Sequence, residues 1–168
     1  MSAELSDSML WHNYWLGMVG PRQREQRRGE HRADIVTVTG CVVEVQHASM
    51  SPTQIDGRER EHGHMMWIWD GREFYQSGRL QLASFNGGVV QFHWRNPRRT
   101  MRACRRTVLL DLWQVGETGE RMVLQVDALG EDGRGEGRLI THRALRLWMV
   151  SGIEYRSLTE LPGRESAA

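Results

Sequence analysis

Lysine is absent from this chain: all 22 of its basic side chains are arginine. GC-rich coding is the plain source of such a bias. The chemical consequence holds whatever the source, since no step or contact here can use a side-chain primary amine. Cysteine is almost absent too. Cys41 and Cys104 fit a reduced, cytoplasmic setting and could pair only if the fold brought them together. His62 and His64 with either cysteine give no C-x-x-C or comparable ligand spacing, so zinc is not indicated. No window approaches the ~20 apolar residues of a membrane span, so no membrane partner is expected. The opening MSAELSDSML lacks a basic n-region and a continuous apolar h-region, so no signal peptide is expected there. A net charge of +1 exerts no bulk pull toward nucleic acid or lipid. Gly130 to Gly137 lacks the order of a P-loop, and no Gly-x-Ser-x-Gly or Cys–His nucleophile arrangement occurs. There is no internal repeat, and low-complexity character is confined to short Arg/Gly stretches and the tail Gly163 to Ala168.

What remains is 168 residues, enough for one domain with a real core. Ser8 to Met18 places Leu10, Tyr14 and Met18 at helical intervals, with Trp11 and Trp15 beside them and Ser8 as N-cap; Gly20-Pro21 ends it. Pro21 to Glu30 reads as a polar, Arg-rich connector. Arg32 to Thr37 and Cys41 to Gln46 are strands by β-branched content. Pro52 to His62 reads as a polar helix with Pro in its first turn and Gly57 weakening it. Met65 to Asp70 (MMWIWD) is a strand buried on both faces. Arg79 to Ser84 and Val89 to Trp94 flank the turn Asn86-Gly87-Gly88, and Thr107 to Val115 and Arg121 to Ala128 flank a Gly-Glu-Thr-Gly turn. Leu129 to Gly137 reads as a charged, glycine-rich loop and Thr141 to Val150 as a short helix or a final strand, with helix the preferred reading. The order predicts an α/β or α+β domain on a mixed sheet, with a motif-bearing core at about 8–70, a β-rich part at about 71–150 and a tail at 151–168.

The chemistry concentrates in HRADIVTVTGCVVEVQHASMS, His31 to Ser51. Glu44 and Gln46 share one side of their strand. The position of Asp34 depends on the turn. A two-residue turn at Thr39-Gly40 pairs Asp34 with Val45 and faces it away from Glu44. A three-residue loop, Val38-Thr39-Gly40, puts Gly40 in the left-handed position and sets Asp34 across from Glu44. The second register also gathers Ile35, Thr37, Cys41, Val43 and Val45 on one nearly apolar face, so it is the better fold. Facing carboxylates repel, and burying either costs several kcal/mol without compensation. A divalent cation removes that cost, and Mg²⁺ needs only one or two carboxylates because it keeps several waters. On spacing alone, a metal-holding pair and a solvated strand face neutralised by Arg stand level.

Residues then carry a resemblance. His31 to Ile35, Glu44-Val45-Gln46-His47, Ser49-Met50-Ser51, Arg58 to Glu61 and the WI of MMWIWD resemble the nuclease domain of the CoiA-like competence protein family. In that family these segments read H-R-A-D-I, E-x-Q-H-S with a nearby I-S, R-E-R-E and a W-I strand. Trp11-His12 with Trp15 resembles its W-H-x-x-W-K helix. Phe92-His93-Trp94 and Leu109 to Leu112 resemble its later strands more loosely. The strong part covers about a quarter of the chain. Leu16 stands where the family has Lys, and Ser8 where an acidic residue precedes the Trp-His pair.

The resemblance implies a restriction-endonuclease-like core of the PD-(D/E)XK type in its E-x-Q variant, with further antiparallel strands at the C-terminal end. It implies a Mg²⁺-dependent (or Mn²⁺-dependent) nuclease hydrolysing DNA phosphodiesters, single- or double-stranded, in DNA uptake, recombination or processing. Asp34 and Glu44 would hold the metal with the backbone carbonyl of Val45. Gln46 would replace the usual Lys, and His12 joins the catalytic candidates. Arg58 and Arg60 are expected at phosphate. The basic run Arg95, Arg98, Arg99, Arg102, Arg105 and Arg106 reads either as a solvated face or, beside a nuclease motif, as a track for a phosphate backbone with Trp94 stacking on a base. His31, His47 and Ser49 are expected to support the site. A homodimer stays open. The competing readings are a DNA-binding module of the same fold that does not cut, and a nuclease acting on RNA.

Overall fold

A computed structural model describes residues 6–158; the predicted low-complexity tail lies outside them. The chain runs α1 (Asp7–Gly17), β1 (Arg24–Arg28), β2 (His31–Val36), β3 (Val42–Gln46), α2 (Pro52–His62), β4 (Met65–Asp70), α3 (Arg72–Gln76), β5 (Leu80–Asn86), β6 (Val89–Trp94), β7 (Thr107–Val115), β8 (Glu120–Leu129), β9 (Arg134–Thr141) and α4 (His142–Ser151). The nine strands among the described residues join one sheet in the order β1-β2-β3-β4-β7-β8-β9-β6-β5. The pairs β3–β4 and β4–β7 are parallel and the remainder antiparallel. This is the mixed-sheet α/β class expected, with antiparallel strands in its C-terminal half.

Helices cover both faces. On one, Trp11, Trp15 and Leu16 of α1 and Leu145 and Met149 of α4 pack on Ile35, Val43, Val45, Ile68 and Leu109. On the other, Ile55 of α2 and Phe74 of α3 join Val36, Val42, Trp67, Trp69 and Leu110. Strand β4 is buried along nearly its whole length, as its unbroken apolar run predicts for a parallel strand covered on both sides. Trp94 and Phe92 of β6 belong to the same apolar cluster as Trp67 of β4, so the antiparallel half contributes to the same core.

Four local readings change. Pro21 to Glu30 is not only a connector. After a short 3₁₀ turn it forms β1, an edge strand whose charge blocks edge-to-edge pairing. The N-cap of α1 is Ser6 rather than Ser8, its hydroxyl accepting the Met9 amide at 3.3 Å. Residues Arg134 to Gly137 are strand, the first half of β9 inserted between β8 and β6. The short helix α3 was not signalled by any run of apolar periodicity; its one buried residue is Phe74. By contrast α2 has the predicted bounds and a full capping box, Ser51 with Gln54.

Candidate active site

The β2–β3 hairpin adopts the three-residue-loop register: Ile35 pairs with Val43 and Val36 with Val42. Gly40 sits at φ +82° and donates its amide to the Thr37 carbonyl at 2.9 Å. The ladder stops at Ile35, which packs on the α1 face, while Ala33 packs with Val36 on the α2 face, so the alternation of β2 breaks around Asp34. Beyond Ile35 the ladder gives way to a side-chain bond, in which the Val45 amide donates to Asp34 Oδ2 at 2.8 Å. The chain thus spends the Asp34 carboxylate on a strand amide at the point where β2 and β3 part.

The shared face expected for Asp34 and Glu44 is corrected, because the two carboxylates engage helices on opposite faces of the sheet. Asp34 Oδ1 lies 3.4 Å from His12 Nε2 of α1. Hydrogen bonding to Asp34 holds the His12 imidazole above its ordinary pKa, against the opposing effect of burial. Glu44, only 1% exposed, turns to α2. Its Oε2 receives Arg58, and its Oε1 lies 3.0 Å from His62 Nε2 without hydrogen-bond geometry. Glu44 Oε1 and both His62 ring nitrogens are buried with no hydrogen-bond partner among the described residues. Burial first, and the nearby Asp34 charge second, push the Glu44 carboxyl up to about 7, against the opposing pull of Arg58. Burial depresses the His62 imidazole. One arginine therefore only partly compensates the desolvation of Glu44.

Around this pair, Gln46 ends β3 and donates to the Ala48 carbonyl at 2.8 Å. His31 pairs with Glu61 of α2, and its ring lies edge-on to His62 at 6.3 Å. His47 and His12 together line a small cavity beside α1. The His47 carbonyl accepts Arg98 at 2.9 Å. Ser49 is exposed in the link to α2. Val45 lies at the buried centre of the sheet, paired with Ile68.

The predicted nucleic-acid residues divide. Trp94 is fully buried and tilts against Phe74 at 5.1 Å. It shares its strand face with Val90 and Phe92, so it cannot stack on a base, and that expectation is corrected. Arg58 is committed to Glu44. Arg60 pairs with Asp56 at 2.9 Å. Arg98 lies half-buried over the Phe74 ring. Arg102 donates to the Gly130 carbonyl at 2.9 Å. Arg95 and Arg99 are exposed.

Three functional-looking residues were missed. His62 had a readable signal, since it follows Arg58 by four positions and shares its helix face. Glu59 had none, because nothing in RERE marks which acid is buried. It is 5% exposed and accepts Trp67 Nε1 at 2.9 Å and the amides of Arg105 and Arg106 at 3.0 and 3.1 Å. Asp111, inside an apolar strand, is wholly buried. It accepts the indoles of Trp11 and Trp15 at 2.8 and 3.0 Å and pairs with His142 at 2.9 Å, which fixes the helix that carries His12.

Among the described residues no three His, Cys, Asp or Glu side chains converge as a metal-binding group. The donors at hand still suit a hard cation: two carboxylates on adjoining strands, one with a buried oxygen lacking a hydrogen bond. A largely hydrated Mg²⁺ asks for no more protein ligands than these. Comparison of the chain with protein-family models, with curated proteins and with solved structures returns no match. The resemblance described above therefore rests on its quoted residues. No helix among the described residues is long and apolar enough to cross a membrane.

Proposed function

We propose that this protein is a divalent-metal-dependent nuclease that hydrolyses DNA phosphodiesters on a restriction-endonuclease-like core. The observation that carries this reading is a pair of acids where β2 and β3 part: Asp34 is tied to the Val45 amide, next in the chain to a Glu44 that is buried and has one carboxylate oxygen without a hydrogen bond. The succession α1-β1-β2-β3-α2-β4, with β3 and β4 parallel around α2, supports the core assignment. So do the placement of one acid on β2 and of the E-x-Q segment on β3.

Asp34, Glu44 and the Val45 carbonyl would hold the metal. Bound there, the ion would polarise a phosphate oxygen and lower the pKa of a water. The chain's own groups supply the remainder. Arg58, paired with Glu44, is a guanidinium at the site that would fit a phosphate oxygen pair were Glu44 to hold a metal instead. Gln46 orients by hydrogen bonding without adding charge. His12, whose Nε2 lies 3.4 Å from Asp34, would be the group that gives a proton to a leaving oxygen. Because the chain has no lysine, Arg58 takes over the electrostatic work usually given to that residue.

The Arg58–Glu44 pair also favours a second reading, a DNA-binding module in which Arg58 permanently replaces the metal. Incubation with single- and double-stranded DNA, and with RNA, in Mg²⁺, Mn²⁺ or EDTA separates the two. Cleavage that needs metal and disappears in Glu44→Ala supports the nuclease. Metal-independent binding with no product from any substrate rejects it in favour of the module.

A further inference from the structure

A second site lies on the α2 face, away from Glu44. Between the 3₁₀ segment Arg99–Ala103, the start of β7 and the end of β8, a cleft of about 500 Å³ opens, within the range of roughly 300–1,000 Å³ typical of small-molecule sites. Its walls combine an apolar side, including Met101, Val126 and Leu129, with the arginines Arg102, Arg105 and Arg106. A smaller cavity bounded by Arg60, Arg105 and Arg106 adjoins it, so the basic side continues past the cleft.

Two observations mark this as a built site rather than a gap. First, buried Glu59 accepts the amides of both Arg105 and Arg106, and so fixes the backbone from which these two guanidinium groups extend. The Arg106 side chain has no ion-pair or hydrogen-bond partner among the described residues, and Arg105 reaches Asp56 only at 3.6 Å while 80% exposed. Second, the acid that shares the lining, Asp127, is neutralised from the other side by Arg138 at 2.9 Å, which leaves the cleft net positive.

We propose that this cleft binds a nucleoside phosphate, with the base against the Val126–Leu129 side and the phosphate on Arg105 and Arg106. Guanidinium groups match phosphate oxygens in pairs. A planar base on a phosphate offers an apolar face to Met101, Val126 and Leu129 together with the charge the arginines require, a combination that neither an inorganic anion nor a hydrocarbon supplies. The same chemistry can arrive as a free mononucleotide or as the phosphorylated end of a strand. The proposal does not depend on catalysis at Glu44.

Isothermal titration of the full chain with AMP, adenosine, inorganic phosphate and a 5′-phosphorylated ten-residue oligothymidylate, in EDTA, tests it. AMP should bind at least tenfold more tightly than adenosine or phosphate. The double variant Arg105→Ala/Arg106→Ala should weaken binding at least tenfold. Ala128→Trp, at an exposed position on the cleft wall, should block it by filling the mouth. Glu44→Ala should leave it unchanged. Circular dichroism confirms that each variant is folded. Binding of the oligonucleotide alone, lost in the same two variants, upholds the chemistry and assigns it to a strand end. Absence of binding by either ligand, or binding indifferent to both cleft variants, overturns the proposal without bearing on the nuclease reading.

Discussion

Arg58 and Glu44 form an ion pair across the gap between α2 and β3, with the carboxylate 1% exposed and the guanidinium 27% exposed. Arg58 opposes the rise of the Glu44 carboxyl, so without it the buried group keeps its proton to higher pH, and at about pH 8 and above, where the carboxylate must form alone, breaking such a pair costs about 3 kcal/mol. Arg58→Ala is therefore expected to lower the urea midpoint markedly in that pH range. If Glu44 is a metal ligand, millimolar Mg²⁺ restores more stability to the variant than it adds to the wild type, because the cation fills the place vacated by Arg58. Equal Mg²⁺ effects on the two proteins would count against a metal at Glu44.

Glu44 also predicts a pH dependence. Its carboxyl rises from 4.5 to about 7 on folding, with burial the first cause. The folded state therefore holds a proton that the unfolded chain releases. The associated stability is fully present below about pH 4.5 and is lost as pH rises through about 7, a loss of order 3 kcal/mol. Glu44→Gln removes this titration. The variant is expected to match or exceed wild-type stability at pH 8, and the wild-type decline between pH 5 and 8 should flatten. A variant less stable than wild type at pH 8, in metal-free buffer, would show that the carboxylate is better compensated than its surroundings indicate.

Asp111 anchors α1 to the sheet. Its carboxyl accepts two indoles and the Trp113 amide and pairs with His142. The amide bond supports a bulge between Asp111 and Trp113, where Trp113 takes φ +65°, a strained conformation for a bulky residue. Asp111→Ala strands these donors and is expected to cost roughly 3–5 kcal/mol. Trp11→Phe removes one bond and is expected to cost about 1–2 kcal/mol. Thermal unfolding ranks them; equal losses in the two variants would show that the Trp11 bond alone carries the anchor.

How much of this could be read beforehand depended on what each residue's neighbours in sequence reveal. The hairpin register was legible because only one loop length puts Gly40 in a left-handed turn and leaves an apolar opposite face. The bounds of α2 were legible from Ser51, Pro52 and Gln54, all local signals. The roles of Glu59 and Asp111 were not, because each serves donors 46 or more positions away in sequence, and neither sits in a pattern that distinguishes a buried acid from an exposed one. Trp94 was misassigned because its basic flank suggested a surface, while its alternation with Val90 and Phe92 places it inside.

The glycines of β9 misled in the opposite direction, and they give a last prediction with two signs. GRGEG suggests a loop. In the sheet Gly137 is paired with Val126 on one side and Val90 on the other, and an added Cβ would collide with the Gln125 carbonyl and come within 3.0 Å of Leu124 Cδ1. The glycine is there to let three strands approach. Gly137→Ala is expected to destabilise the fold by about 2 kcal/mol or more, since carbonyl and core cannot both yield. Gly57, inside α2, meets nothing within 4 Å, so Gly57→Ala is expected to stabilise by about 0.5–1 kcal/mol through helix propensity. Denaturant titration of the two variants side by side checks both signs. A neutral Gly137→Ala would mean that β9 is not inserted between β8 and β6, and the loop reading of this segment would stand.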